Sequence, residues 1–581
     1  MRKPNILILL ALAGLLLPGC RAAPTPTPTP LPPTPIPTAT PTPIPSNSRS
    51  HIVAALHRAL ERRDFKQAAL LNSILAQEAY QRAYRALKAW ENLRDPETGL
   101  VPRFAPPKKA YWNAKDTAAD LFSFLLLASQ YLDKDNERLW LNTLTKEREI
   151  CGPMTCTIRF RPTRVVEEDL SNLIFGGSEY VKDGLLAVTE RSGRGPWFVR
   201  LEEITQALID AAYVETKSGK ICSSTTEVNG EMLQVLSRCY WATQKDEYLQ
   251  MAERIAEAYL FDIFPNNQYL PASDWNFAQG EPASSYFSFR DHGSEIIAGL
   301  TELYLLEKTQ GRPQAARYRE ALKRFLDLIL VVGRTEDGLW HNTVDIKTHE
   351  PLDKYVVDTW GYILSAYQMF DIAEGTSIYA DEIKRTMRAA AARKSFAWEG
   401  QHHDGYADAI ESMLYLLPWF DISECHHWVD DEIGVMFRMQ SPSGFVSEGY
   451  LDGNFIRTSL LYAVYKTQGV MADPWREDVY LGAVYDRDKK ELHVCLSADA
   501  QWEGVLEFDL PRHRTIWNLP FEYPRLNGTP EWFVVEPQDT YAVVDLNTGE
   551  ESFHSGQSLA KGLAVTLDEK EHPLCLRVSQ E

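Results

Sequence analysis

Between about residues 51 and 470, apolar residues recur at spacings of three and four in segment after segment, the spacing of helices with one buried face. The segments that carry it are 65–93, 117–132, 201–214, 227–242, 248–261, 294–308, 314–332, 357–373, 377–393, 406–420, 430–440 and 455–467. Their connections share a form: a turn, a glycine or small polar residue, then a short apolar or aromatic stretch. Examples are Thr98-Gly99-Leu100-Val101-Pro102, Asn267-Gln268-Tyr269-Leu270-Pro271, Asp337-Gly338-Leu339-Trp340-His341 and Ser443-Gly444-Phe445-Val446-Ser447. About twelve helices at roughly seventy residues per pair is the accounting of a repeat architecture built from six helical hairpins. Near residue 470 the pattern changes. Asp473-Pro474-Trp475 ends the helical region, and short β-branched and aromatic runs follow at 479–485, 491–496, 504–508, 532–535, 541–544, 562–567 and 574–578. Turn signals such as Asn547-Thr548-Gly549 separate them, which predicts a small β-sandwich.

The helix count, the repeated rim loops (notably Asp95-Pro96-Glu97-Thr98-Gly99-Leu100) and the acidic-aromatic segments described below resemble the six-hairpin glycosidase superfamily. The resemblance covers about residues 60–470. It implies a mainly α chain: an (α/α)6 toroid of helical hairpins over 49–472, followed by a small C-terminal β-sandwich over 473–581. Members of that superfamily include glycoside hydrolases, polysaccharide lyases and sugar epimerases, so the resemblance implies a carbohydrate substrate more firmly than a reaction.

The N-terminus reads as an address. Arg2 and Lys3 precede an apolar run, Ile6 to Leu17, of signal-peptide length and too short to span a bilayer. The run ends Leu16-Leu17-Pro18-Gly19-Cys20, which resembles a bacterial lipobox, so 1–20 is expected to be a lipoprotein signal with Cys20 the lipidated residue. Residues 21–48 form a Pro/Thr-rich linker. Its proline repeat, 24–45, favours extended polyproline II, which at about 3.1 Å per residue spans roughly 70 Å. The expected location is extracytoplasmic, with the chain attached to a membrane through Cys20.

Charge and cysteines agree with that address. The net charge is −20, and because 1–50 holds four basic residues and no acidic one, the remaining chain carries 56 basic against 80 acidic residues. An acidic body without a basic stripe excludes nucleic-acid binding as the main task. Beyond Cys20, Cys151 with Cys156, Cys222 with Cys239 and Cys495 with Cys575 are the disulfide pairs the spacing suggests, leaving Cys425 over. The spacings match no zinc site, and no metal or cofactor is expected.

Four segments carry candidate chemistry: Tyr111–Asp120, Tyr286–Glu295, Asp358–Tyr362 and His402–Glu411. Asp116 and Asp120 are four apart, as are Asp291 and Glu295, while Asp404, Asp408 and Glu411 follow i, i+4, i+7. On a helix each set shares one stripe. Crowded carboxylates split one another's pKa values, so one can stay protonated while another is ionised. Glycoside hydrolysis requires such a pair, about 5–5.5 Å apart for retention or about 6.5–9.5 Å for inversion. Asp291 and Asp404 are expected as catalytic partners, with Asp408, Asp116 and His292 nearby. The competing reading of each acid is a helix cap.

Trp112, Phe289, Trp275, Trp340 and Trp360 lie beside the acids or on rim loops and are expected to stack sugar rings, against the alternative of core packing. His403, Glu448 and Asp452 complete the expected substrate contacts, Asp452 with a helix cap as its alternative. His292 and His402-His403 also suit proton transfer in a lyase or an epimerase. The expected function is a lipid-anchored glycoside hydrolase acting on a polysaccharide or oligosaccharide. The alternatives are a lyase or epimerase of the same fold, or a glycan-binding lipoprotein without activity.

Overall fold

Neighbouring amphipathic helices bury their apolar stripes against one another, and the order in which they do so makes a ring. The computed structural model describes residues 46–106, 110–447, 449, 451–568 and 572–581, without the side chains of 46–48, 291 and 292. The signal segment, the lipobox Cys20 and the linker as far as residue 45 lie outside the described residues. Ile44–Glu581 forms one compact unit. Two helices lead in: α1 (Ser46–Glu61) and α2 (Phe65–Glu91), the second capped by Asp64, whose side chain accepts from the Gln67 amide at 3.1 Å.

Six consecutive hairpins follow among the described residues, each an inner helix and then an outer one. The first is α3, a π-helical stretch Ala114–Phe122 continuing as Ser123–Leu132, with α4 (Glu137–Cys151). The second is α5, Leu170–Glu179 running through the π-helical Tyr180–Leu185 into Leu186–Ser192, with α6 (Pro196–Asp210). Then come α7 (Thr226–Thr243) with α8 (Asp246–Glu257), and α9 (Asp291–Thr309) with α10 (Pro313–Ile329). The last two are α11 (Trp360–Glu374) with α12 (Ala380–Ala392), and α13 (His403–Leu416) with α14 (Ser423–Phe437). A final helix, α15 (Asp452–Thr467), packs between α13 and α3 and closes the ring, with α2 lying along its outer side. The fold is thus an α/α toroid of helical hairpins. The inner helices are buried nearly all round; every residue of α15 is buried.

Beyond α15 the chain forms two antiparallel sheets. The strands are β1 (Met471–Asp473), β2 (Val479–Asp486), β3 (Glu491–Ala498), β4 (Trp502–Glu507), β5 (Thr540–Asp545), β6 (Glu551–Ser555), β7 (Leu563–Leu567) and β8 (Leu574–Gln580). One sheet has the order β2-β3-β8-β5-β6 and the other β1-β4-β7. An apolar cluster with Leu481, Val494, Val543, Leu506 and Val565 from both sheets fills the space between them. The expected strand at 532–535 is not formed. The segment between β4 and β5 instead crosses to the toroid: Arg525 pairs with Glu190 at 2.8 Å, and Tyr523 donates to Glu302 at 2.8 Å. No helix among the described residues is long and apolar enough to cross a membrane.

Two disulfides form, Cys151–Cys156 and Cys495–Cys575, the second joining directly opposed residues of β3 and β8. The expected Cys222–Cys239 pair does not. Cys222 precedes α7 and Cys239 lies near its far end, about 20 Å along a rise of 1.5 Å per residue. Both are buried thiols, pushed up to about 12 first of all by burial.

Candidate active site

Every inner helix contributes to one cavity of about 380 Å³ on the ring axis. Three of its acids, Asp116, Glu227 and Asp404, stand in the first turns of those helices, where the exposed amides and the helix dipole favour a carboxylate. The spacing repeats. Asp116 and Asp120 stand on α3, Glu179 and Asp183 on α5, Glu227 and Glu231 on α7, and Asp404 and Asp408 on α13, each pair four residues apart. Glu295 joins from α9, Tyr362 from α11, and Asn454 and Arg457 from α15. Two π-helical stretches, Ala114–Phe122 and Tyr180–Leu185, face one another here and present Asp116, Asp120 and Asp183. Such turns recur at functional sites because they redirect side chains off the α-helical stripe.

Close backbone approach sets the acids in place. A Cβ at Gly230 would stand 2.4 Å from the Glu295 backbone, so only glycine lets α7 and α9 cross where Glu231 and Glu295 meet. A Cβ at Gly453 would stand 1.8 Å from the carbonyl oxygen of Asp120, so the start of α15 presses directly on the turn that carries this acid.

Hydrogen bonds then divide the carboxylates into two kinds. Lys182 Nζ pairs with Asp183 at 2.7 Å and with Glu295. Asn527, from the segment between β4 and β5, donates to Asp183 Oδ1 at 2.6 Å and to the Lys182 carbonyl at 3.0 Å. Burial pushes the Asp183 carboxyl up, but Lys182 and the hydrogen bonds from Glu179, Lys182 and Asn527 hold it below the usual carboxylate range. Asp120 has no such partner set. Burial, then Asp183, Asp404 and Asp116, push it well above that range. Burial and like charges do the same to Asp408 (from Asp404 and Asp358), to Glu179 (from Glu231 and Asp183) and to Glu231 (from Asp183 and Glu227). Asp404 accepts from Asn454 Nδ2 at 2.7 Å, and Arg457 pairs with the buried Glu411 at 2.6 Å.

Of the residues expected from sequence, Asp116, Asp404 and Asp408 line this cavity together. Asp291 and His292 start α9, and their side chains lie outside the description; Glu448 lies outside the described residues. The aromatic residues stand elsewhere than expected. Trp112, Phe289, Trp340 and Trp360 are fully buried and Trp275 is 2% exposed, so none is open to a sugar. Trp112 packs on Phe122, Phe289 on Phe287, and Trp340 donates to the Ile329 carbonyl at 2.8 Å. The rings that do line the cavity are Phe175 and Tyr362. His403 is buried with Nε2 against the Leu451 carbonyl at 3.1 Å, its pKa pushed down to about 4 by burial and then by His402. Asp452 is a structural acceptor, taking hydrogen bonds from Trp90 Nε1 at 3.0 Å and from the Ser447 amide at 2.8 Å.

Sequence reading missed Glu179, Asp183, Glu227, Glu231 and Lys182. The signal was present: 179/183 and 227/231 repeat the four-residue acid spacing. Among possible cation ligands, Glu179, Glu227 and Glu231 each bring one oxygen within 4.8 Å of the others, and Glu399, His402 and Asp404 form a similar group at the rim.

No protein-family model matches the sequence, and no curated protein is significantly similar to it. Among solved structures, the chain is similar to a family 76 glycoside hydrolase from a bovine Bacteroides thetaiotaomicron strain, with a TM-score of 0.40 at 10% identity, covering 67% of this chain and 78% of that one. It is similar to a cellobiose 2-epimerase from Bacillus thermoamylovorans, with a TM-score of 0.38 at 10% identity, covering 66% and 98%. A D-mannose isomerase matches with a TM-score of 0.39 at 14% identity, covering 54% and 86%.

Proposed function

We propose that this protein is a carbohydrate-active enzyme that hydrolyses glycosidic bonds, held outside the cytoplasm by a lipid on Cys20. The observation that carries the reading is the pairing of opposite carboxylates on the toroid axis: Asp120, pushed toward the protonated form, beside Asp183, held ionised by Lys182 and Asn527. This is the division of labour that general-acid and base or nucleophile roles require. Asp120 gives its proton to the departing glycosidic oxygen. Asp183 or Asp404 deprotonates the attacking water or attacks the anomeric carbon, which is how the reaction inverts or retains. The cavity has the size of a ligand pocket for one or two sugar units. A uronate lyase is disfavoured, because the cavity that would receive a second carboxylate is already lined by ten of them against four cations.

The test is a screen of the full chain on polysaccharides and oligosaccharides, reading new reducing ends together with the ultraviolet chromophore of unsaturated lyase products. Reducing ends alone, lost in D120N and D183N, support hydrolysis. The chromophore, or silence on every glycan, overturns it. Cys20→Ala is expected to move the protein from the membrane fraction to the soluble one.

A further inference from the structure

The charge balance of the cavity describes the ligand as well as the reaction. Its ten carboxylates face four cations, Lys115, Lys182, Arg290 and Arg457. Three of these are already bound: Lys182 by Asp183 and Glu295, Arg290 by Glu399 at 2.7 Å, and Arg457 by Glu411 and Asp408. Lys115 lies over the Phe175 ring, 5.3 Å from its centre.

Two buried acceptors are left over. Glu231 is 2% exposed, and its Oε2 has no hydrogen-bond partner within the protein. Asn454 is 7% exposed; its Nδ2 is committed to Asp404, which leaves Oδ1 without a donor. A buried acceptor without a donor is costly, so these two atoms call for a ligand that donates. They sit on α7 and α15, three places apart in the ring, so one metal ion does not reach both. A sugar does. Burial and like charges hold Glu231 toward the protonated form in the empty cavity, and a cationic donor is the ligand group that returns it to the carboxylate. Neutral sugars bring donors without charge, uronates bring the wrong charge, and an N-acetyl group replaces an ammonium with a carbonyl acceptor.

From this we infer that the cavity takes a glycan containing a hexosamine with a free, protonated amine, its ammonium directed at Glu231. The inference rests on the hydrolase reading for its substrate class, but the two fail separately.

The test is calorimetric titration of the full chain with fully deacetylated tetramers of glucosamine and of galactosamine and with their N-acetylated counterparts. At least one free-amine tetramer is expected to bind at least tenfold more tightly than its acetylated form, with an affinity that weakens as salt is added. E231Q is expected to remove most of that preference while melting no lower than the wild type. Should E231Q fail to fold, the salt dependence and the amine preference of the wild type decide. Equal affinity for both forms, binding by neither, or calcium chloride displacing the tetramer far more than sodium chloride of the same ionic strength overturns the inference. Cleavage of neutral glycans without an amine preference sinks the inference and leaves hydrolysis standing. Binding of the free-amine tetramer without new reducing ends does the reverse.

Discussion

Asp120 and Asp183 are neighbours with opposite proton affinities, and both activity and stability should show it. Removing a general acid or base costs about 10²- to 10⁴-fold in rate, so D120N and D183N are each expected to lose at least a hundredfold in reducing-end release. Their effects on stability differ in sign. The folded pKa of Asp120 lies above its unfolded value, because of burial and of Asp183, Asp404 and Asp116. The unfolded chain therefore releases this proton first, and stability falls as pH rises above the ordinary carboxylate range. Asp183 is depressed, so its contribution is present above that range and lost as pH falls through its folded pKa. Glu179, Glu231 and Asp408 act with Asp120. The melting temperature is accordingly expected to drop as pH rises above the ordinary carboxylate range. D120N should melt higher than the wild type at the upper end and show a flatter profile, while remaining inactive. A wild type that melts highest at the alkaline end would contradict this account. The four-residue acid spacing was legible at Asp116 and Asp404. The burial that makes it consequential was not, because it comes from helices far apart in the chain.

Helices bring these acids together by backbone contact, and here a single methyl is decisive. In G453A the new Cβ meets the Asp120 carbonyl, and in G230A it meets the Glu295 backbone. Forcing a group into a packed site costs about 1–3 kcal/mol. Both variants are expected to melt several degrees lower, and G453A should lose activity well beyond its unfolded fraction because it displaces Asp120. Thermal melts beside initial rates at a temperature where the variant is folded check this; unchanged rates would show that α15 does not position the acid. The twelve helices expected from apolar periodicity are present, some with shifted ends, because each has a continuous apolar stripe. Those at Ser46–Glu61, Glu137–Cys151 and Leu170–Ser192 went unseen. The second is mostly polar, and the third is interrupted by Gly176, Gly177 and Gly184, residues of low helix propensity. In the folded chain Gly176 and Gly184 sit against Ala114 and Ser123, allowing α5 to lie close to α3. These glycines are packing residues, and with that helix unseen Glu179 and Asp183 went unseen too. The tryptophans erred the other way: adjacency to acids in sequence placed them at the rim, whereas Trp112, Trp340 and Trp360 turn into the core.

At the scale of the molecule, the C-terminal region does more than pack β2 and β3 against α2. The Cys495–Cys575 bond ties β3 to β8 across 80 residues of sequence, a long loop to leave open in the unfolded chain. Its removal as C495S/C575S is expected to lower stability by about 2–4 kcal/mol, read by denaturant titration. Between those cysteines runs the segment that reaches the toroid. Arg525 and Tyr523 join a buried network with Glu190, Arg238 and Glu302, and Asn527 extends from it to Asp183. A residue 344 positions along the chain thus helps keep a candidate catalytic carboxylate ionised. Nothing in the periodicity of either region points to the other, so this link was invisible before folding. It makes a specific demand. A hydrogen bond to a charged group is worth about 1.5 kcal/mol, which corresponds to about one pKa unit. N527A should therefore move the acidic limb of the pH–rate profile upward by about one unit, with little change at its plateau and little change in KM. A role confined to stability would lower the melting temperature and leave the limb where it stands. A moved limb with an unmoved plateau is the signature of Asn527 acting through Asp183, and it would make the β-region part of how the toroid sets its proton affinities.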